Sequence, residues 1–235
     1  FFKFDQKALV SATPIELNDP RFKEQNFQTI EIQPTFDYKK EIWLHHTNNT
    51  LQAFKDTLSK LDNEEAAPLP ICVFINSTDI IYSLMKQLDL LEESAVFCAP
   101  KSVDKLKKNR FCNVYEQWHK DKMKRYNFFT SRFFNAVDME LEEQPHVIML
   151  TDVYFAEHTM IDPYTDAIQI VGRFRNGVSS ITYISNTKKG LPQRSKEEIK
   201  DYLVYSKEIY RTMKNFYDCA TDRASRDAYR AALES

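Results

Sequence analysis

Short apolar runs of strand length alternate along this chain with longer segments of helical periodicity. In one such pair, Leu51, Phe54, Leu58 and Leu61 repeat at helical spacing, and the fully apolar run 71–75 follows after a proline-flanked segment. Runs that are apolar at every position are typical of strands buried on both faces, and their alternation with helices is typical of a parallel sheet. The sequence therefore predicts an α/β fold in three layers, with a mostly parallel sheet covered by helices.

The same patterns assign the individual elements. We expect strands at 8–10, 30–32, 41–44, 71–75, 95–98, 126–130, 147–151 and 180–184. We expect helices at 51–61, from 78 to about 91, at 102–108 and at 162–175. The segment 15–30, which is rich in Asn, Asp and Pro, is expected to be a loop. From Ser195 onward, two apolar stripes at helical spacing predict a helical extension.

Composition excludes several classes of protein. The chain is 43% apolar and 28% charged, as expected for a globular domain, and no apolar run approaches the length that crosses a bilayer. The four cysteines form no C-x-x-C pair, and neither a signal peptide nor a metal-ligand pattern is present. We therefore expect a reduced, cytoplasmic protein that binds no membrane and holds no metal site of its own. Because residue 1 is Phe, we also expect the chain to be a fragment.

Charge is unevenly distributed. Segment 101–132 holds ten Lys or Arg and three acids, a net of +7, whereas segment 133–166 holds eight acids and no Lys or Arg, a net of −8. A basic stretch is often only a solvated face, but such sharp segregation favours a positive surface that follows a phosphate backbone.

The three glycines, Gly172, Gly177 and Gly190, are too few and too far apart for a phosphate-binding G-x-x-x-x-G-K-[ST] loop. The nearest imitation, Ala99-Pro100-Lys101-Ser102, has proline where that loop needs glycine. An ATP-binding role for this chain would therefore need a P-loop from elsewhere.

Segment 169–175 reads Gln-Ile-Val-Gly-Arg-Phe-Arg. It resembles the sixth motif of superfamily-two DEAD/DEAH-type helicases, Q-x-x-G-R-x-x-R. The resemblance implies that Gln169, Gly172 and Arg173 face ATP and that Arg173 is an arginine finger. Such a guanidinium stabilises charge on the transferred phosphoryl group and contributes roughly 10³–10⁵ in rate.

The last arginine departs from that motif, because Asn176 occupies its position and Arg175 lies one residue early. Either Arg175 reaches the same phosphate from a shifted turn, or this chain uses one finger. A structural interpretation is also open, in which cations favour a helix C-terminus and Asn176-Gly177 forms the following turn.

Segment 130–139 resembles motif V of the same superfamily, with Ala136 in place of its glycine. The resemblance implies that Thr130 and Ser131 approach the nucleic-acid backbone and that Asp138 lies on the nucleotide side. The alternative is a strand and loop whose phenylalanines fill the core.

Two further segments keep the family order. Ser11-Ala12-Thr13 resembles motif III, which couples hydrolysis to domain movement, so Ser11 and Thr13 are assigned to coupling. Residues 74–77 resemble motif IV, and Asn76, Ser77 and Thr78, together with Lys101, are expected to hold strand phosphates near a helix N-terminus. Without the family, the Asn-Ser-Thr sequence would be an ordinary helix cap.

The resemblance implies a RecA-like fold and the following domain layout. Residues 1–13 would carry the last strand and motif III of a truncated first RecA-like domain, 14–190 the second such domain, and 191–235 a helical extension. The partners would be single-stranded DNA or RNA and the first RecA-like domain of the same parent chain. ATP and Mg²⁺ would be bound mainly by that missing domain, because the P-loop and the D-E-x-D/H box are absent, and the fragment alone should be inactive.

Two alternatives to a helicase or translocase motor domain remain. One is a non-catalytic RecA-like module that serves as a scaffold or binds nucleic acid. The other is an unrelated doubly wound enzyme such as a methyltransferase, which would normally need a glycine-rich first turn that is absent here.

Overall fold

The computed structural model of the chain describes residues 2–13, 17, 19–33, 35, 39–63, 68–135, 137–188, 190 and 194–234. They form two compact units, Phe1–Lys188 and Lys189–Ser235. Ala136 lies outside the described residues, as do residues 14 and 191, where the second and third expected domains begin.

The larger unit is built on a sheet in which all seven strands found in the described residues run parallel. The strands are β1 (Trp43–His46), β2 (Ile71–Phe74), β3 (Ser94–Phe97), β4 (Val114–Tyr115), β5 (Tyr126–Phe129), β6 (His146–Thr151) and β7 (Ser180–Ser185). Their order across the sheet is β1-β7-β6-β2-β5-β3-β4. The carboxyl ends of β2, β5 and β3 are therefore neighbours at one edge.

Helices cover both faces of this sheet. The α-helices of the larger unit in the described residues are α1 (Pro20–Glu24), α2 (Thr50–Asp62), α3 (Thr78–Gln87), α4 (Pro100–Lys108) and α5 (Asp166–Gly172). Buried residues of α2 to α5 pack against the sheet, whereas α1 has no buried residue. On one face, Ile71 and Val73 of β2 share a core with buried residues of α2, α3 and α4. On the other face, Cys72 and Phe74 of the same strand share a core with α5. This is the three-layer α/β architecture, of the RecA-like kind, that the sequence predicted.

Stacked phenylalanines fill the face that α5 covers. The ring of Phe129 on β5 stacks on Phe74 of β2 at 5.0 Å and on Phe97 of β3 at 4.9 Å between centroids. All three side chains are fully buried. Burial of each contributes about 1.5–3 kcal/mol, which fixes these three strands relative to one another.

Two expected strands are wrong. Residues 8–10 and 30–32 lie outside the sheet, and Val10, Ile30 and Ile32 are 96%, 83% and 86% exposed. Their apolar composition satisfies strand propensity, but an isolated run gains stability only by pairing and burial, and these runs have neither.

The helix expected at 162–175 begins four residues late, at Asp166. The carboxylate of Asp162 accepts from the backbone N–H groups of Tyr164 at 2.7 Å and Thr165 at 2.9 Å. Such side-chain capture of backbone donors favours a turn over a helix. Pro163 therefore lies in this turn and not in the first helical turn.

Two short elements were not expected. Helix α1 falls inside the supposed loop 15–30, where Asp19 accepts from the N–H of Arg21 and Pro20 occupies the first turn. Strand β4 has only two residues, too few to show a period.

The smaller unit contains α6 (Lys196–Cys219) and α7 (Arg223–Glu234), which confirms the predicted helical extension. Ser195 and Glu198 form a capping box at the start of α6. The rings of Phe216 and Tyr229 stack at 5.7 Å and join the two helices. None of the helices in the described residues combines the length and the apolar character that a membrane span requires.

Candidate nucleotide and strand-binding site

Asn76 links the loops that follow three strands at the carboxyl edge of the sheet. Its Oδ1 accepts from the backbone N–H of Ser131, after β5, at 3.3 Å. Its Nδ2 donates to the carbonyl oxygen of His158, after β6, at 2.8 Å. Both polar groups of this amide thus bind protein, so Asn76 organises the edge more than it offers donors to a ligand.

The other residues expected to bind a strand differ in exposure. Ser77 is buried, and its hydroxyl accepts from the N–H of Ile80 at 3.4 Å, as a helix cap. Thr130 is also buried and donates to the carbonyl of Phe97 at 3.5 Å. Thr78 begins α3 and is half-buried, whereas Ser131 and Lys101 are exposed.

Lys101 belongs to the first turn of α4, directly after β3, the neighbour of β5 in the sheet. Lys101 and Ser131 are therefore the exposed members of the set, and they follow adjacent strands at one edge. A cation and a hydroxyl at the carboxyl ends of parallel strands are a suitable combination for a backbone phosphate.

Two arginines converge on one carboxylate oxygen in the second part of the site. Asp138 Oδ1 accepts from Nη2 of Arg175 at 2.7 Å and from Nη1 of Arg173 at 3.3 Å. The hydrogen bond from Arg175 is the main reason that the pKa of Asp138 lies below its usual range. Desolvation opposes this lowering, and the charges of Arg175 and Arg173 add to it. The segments that resemble motifs V and VI therefore meet through charged side chains.

Arg173 is held more firmly than Arg175. Besides Asp138, Arg173 donates to the carbonyl of Gln169 at 3.1 Å, to the side-chain Oε1 of Gln169 at 3.3 Å and to the carbonyl of Asn135 at 3.4 Å. Its side chain is 18% exposed, compared with 50% for Arg175. Arg173 is thus fixed in direction, while Arg175 is held by a surface ion pair.

The same network reaches the segment that resembles motif III. Nε2 of Gln169 donates to the hydroxyl of Thr13 at 3.0 Å, and the N–H of Thr13 donates to the hydroxyl of Ser11 at 3.1 Å. Hydrogen bonds therefore connect five residues that were expected to contact ATP or to couple its hydrolysis to domain movement. They are Ser11, Thr13, Asp138, Gln169 and Arg173. Gly172 lies beside them at the exposed end of α5.

The backbone places these side chains through a parallel bridge between Met139 and Phe174. The N–H of Met139 donates to the carbonyl of Arg173 at 2.8 Å, and the N–H of Arg175 donates to the carbonyl of Met139 at 3.2 Å. Phe174 is buried and meets the ring of Phe74 edge-on at 6.2 Å. The two arginines therefore flank a residue anchored in the core.

Asn176 and Gly177 form the turn that the structural interpretation expected. Gly177 has a φ of +86°, and its N–H donates to the carbonyl of Phe174 at 3.0 Å. The side chain of Asn176 donates to the carbonyl of Leu141 at 2.6 Å. Asn176 thus holds its turn against the segment that contains Leu141. Arg175, one residue earlier, contacts the same carboxylate as Arg173.

Sequence reasoning missed Asp152, which follows β6. Its carboxylate accepts from the hydroxyl of Thr50 at 2.7 Å, from Nδ2 of Asn186 at 2.8 Å and from the N–H of Phe155 at 3.2 Å. Partial burial alone would raise the pKa of Asp152, but these hydrogen bonds outweigh it and lower the pKa. An acid directly after an apolar strand was a signal that could have identified it.

Within the described part of the chain, no cluster of three or more His, Cys, Asp or Glu is arranged to hold a metal ion. The donor set at Asp138 is instead suited to an anion, because guanidinium groups donate hydrogen bonds and accept none. A phosphate oxygen at the point where the two arginines converge would meet the same two donors.

Comparison of the chain with protein-family models, with curated protein sequences and with solved structures finds no match.

Proposed function

We propose that this chain is the second RecA-like motor domain of an ATP-dependent superfamily-two helicase or translocase that acts in the cytoplasm. The observation that carries the proposal is the convergence of Arg173 and Arg175 on Asp138 Oδ1, at 3.3 and 2.7 Å. In this role the two guanidinium groups approach ATP held by the P-loop of a first RecA-like lobe of the parent protein.

ATP, bound with Mg²⁺ mainly by that lobe, supplies the phosphoryl group that is transferred to water. Arg173 stabilises the charge that develops on the phosphoryl oxygens, because its direction is already set by Gln169 and Asn135. Arg175, with half of its side chain exposed, is the second donor to the same group. Thr13 and Ser11 connect this site to the segment that leads towards the first lobe.

The second activity of the domain is the binding of one strand of DNA or RNA. Ser131 and Lys101 contact the phosphate backbone, and Asn76 holds the Ser131 loop in position through its 3.3 Å hydrogen bond. Such contacts are independent of base sequence, as a translocating motor requires.

The test is ATP hydrolysis by a parent protein that contains both lobes, with and without single-stranded nucleic acid. Arg173→Ala should lower stimulated turnover by roughly 10³-fold, as for loss of an arginine finger. Arg194→Ala, in the helical extension, is the matched control and should leave turnover within twofold. Unchanged turnover of Arg173→Ala would reject the finger.

A non-catalytic nucleic-acid-binding module is the second candidate. It is favoured by Asn176, which stands where the motif has its last arginine and whose side chain donates to the carbonyl of Leu141 at 2.6 Å. In that case Arg173→Ala would reduce stability, and the parent would bind a strand without hydrolysing ATP.

A further inference from the structure

The shared contact at Asp138 is unusual in that two cations use a single oxygen of one carboxylate. Arg175 Nη2 and Arg173 Nη1 both donate to Oδ1, and the carboxylate itself is half exposed. The position of Oδ1 is therefore defined by two donors that approach from different residues of the α5 end. An anion oxygen is thus held between the two guanidinium groups.

We propose that Asp138 is a positioning residue that occupies the phosphate position of this site and must withdraw before a polyphosphate can bind. This inference rests on the proposed function, because it takes the two arginines as the phosphate donors. Asp138 keeps the guanidinium groups convergent when no ligand is present, and it weakens the affinity for every phosphate ligand by competing for the same two donors.

The surroundings of Asp138 allow its side chain to move away from the two arginines. Asp138 is solvent-accessible, and its backbone neighbour Met139 is anchored by the bridge to Phe174, so only the side chain has to turn. Arg173 keeps its three hydrogen bonds to Gln169 and Asn135 when Asp138 leaves. A terminal phosphoryl group carries about −1.5 to −2 charges against −1 for the carboxylate, so the exchange favours the phosphate electrostatically.

Inorganic tripolyphosphate binding to the full 235-residue chain, measured by calorimetry at fixed ionic strength, tests this inference. Asp138→Asn keeps the shape and removes the charge, and it should bind tripolyphosphate about three- to tenfold more tightly than the native chain, the range expected when weak half-exposed ion pairs no longer need breaking. Glu142→Gln changes net charge equally by removing the partner of Lys120, and should change affinity less than twofold.

A second measurement follows the accessibility of Arg175 directly. Phenylglyoxal modifies accessible arginines, and the rate at Arg175 should rise several-fold in Asp138→Asn and fall again when tripolyphosphate is added. If Asp138 were only a structural ion-pair partner, Asp138→Asn would unfold more easily. Tripolyphosphate would then not protect Arg175 of this variant from phenylglyoxal.

The outcomes separate this inference from the proposed function. Equal or weaker affinity of Asp138→Asn, with loss of binding in Arg173→Ala, would overturn the role of Asp138 and leave the arginine site intact. Binding that is unaffected by both Arg173→Ala and Arg175→Ala would reject the phosphate site itself, and the role of Asp138 with it. Absence of binding by Asp138→Asn would also overturn the inference, since that variant must bind.

Discussion

The side-chain amide of Gln169 donates a hydrogen bond to the hydroxyl of Thr13, 3.0 Å away, across 156 residues of sequence. The orientation of this amide is fixed by chemistry, because Arg173 is only a donor and must be met by Oε1, which leaves the NH₂ group for Thr13. The hydroxyl of Thr13 is therefore the acceptor in this hydrogen bond.

Thr13→Val should loosen segment 2–13 without unfolding the chain. The variant removes the acceptor of one hydrogen bond, which is worth about 0.5–1.5 kcal/mol, and it keeps the shape of the side chain. Hydrogen exchange of the segment should accelerate up to roughly tenfold, which is the factor equivalent to that energy. Thr13→Ser keeps the hydroxyl and is the control. Identical exchange in both variants would show that the contact does not hold the segment.

Gly172→Ala should leave folding intact while it impairs turnover. A methyl group at this position meets nothing within 4 Å, and alanine favours a helix over glycine by up to about 1 kcal/mol. If the glycine admits a phosphate or the partner lobe, ATP hydrolysis by the two-lobed parent should fall by at least about tenfold, or 1.4 kcal/mol of barrier. Urea unfolding and turnover are measured together. Undiminished turnover would remove Gly172 from the site.

Asp152→Ala should destabilise the larger unit by about 1–3 kcal/mol, because it leaves Thr50, Asn186 and the N–H of Phe155 without their acceptor. Asp152→Asn, which keeps one oxygen, should cost less. Urea midpoints of the two variants and the native chain decide the order. Equal midpoints for the two variants would mean that the charge, which both remove, carries the contact and not the number of acceptor oxygens.

The same residue predicts a pH dependence. Because the pKa of Asp152 is lowered on folding, its contribution to stability is complete above the unfolded pKa of about 4 and is lost as pH falls through the folded pKa. The difference in unfolding free energy between the native chain and Asp152→Asn should therefore shrink below pH 4. A difference that stays constant down to pH 2 would contradict this assignment.

Lys101→Ala and Asn76→Ala should weaken strand binding in different ways. Loss of a phosphate contact at Lys101 should reduce the slope of log K against log salt by about 0.7 for a single strand. Asn76→Ala should weaken binding with little change of slope, since Asn76 holds the Ser131 loop in place. Lys107, at the other end of α4, is the matched control. Equal slopes in Lys101→Ala and Lys107→Ala would remove Lys101 from the strand path.

The parts of the fold that the sequence predicted best are those that local pattern determines. Segments 71–75 and 147–150 are apolar at every position, and they form most of the central strands β2 and β6. Residues 8–10 show the limit of the same rule. An apolar triplet has the composition of a strand, but whether another strand lies beside it is decided by distant parts of the chain.

The candidate site could likewise be predicted from the sequence only in part. The resemblance to helicase motifs in their family order suggested that Thr13, Asp138 and Arg173 act together, and hydrogen bonds connect them in the structure. The pairing of Asp138 with both arginines was not predictable, because no period relates residues 35 and 37 positions apart. The cluster at Asp152 was missed for a similar reason, since its donors come from α2, from the end of β7 and from its own loop.

The bridge between Met139 and Phe174 determines how this site can respond to mechanical load. Two amide contacts fasten the chain on both sides of a buried ring, so the backbone of Arg173 and Arg175 has no independent hinge. A displacement of Met139 therefore moves the backbones of Arg173 and Arg175 together. If the chain acts as proposed, force on a bound strand would in this way move both arginines relative to the triphosphate.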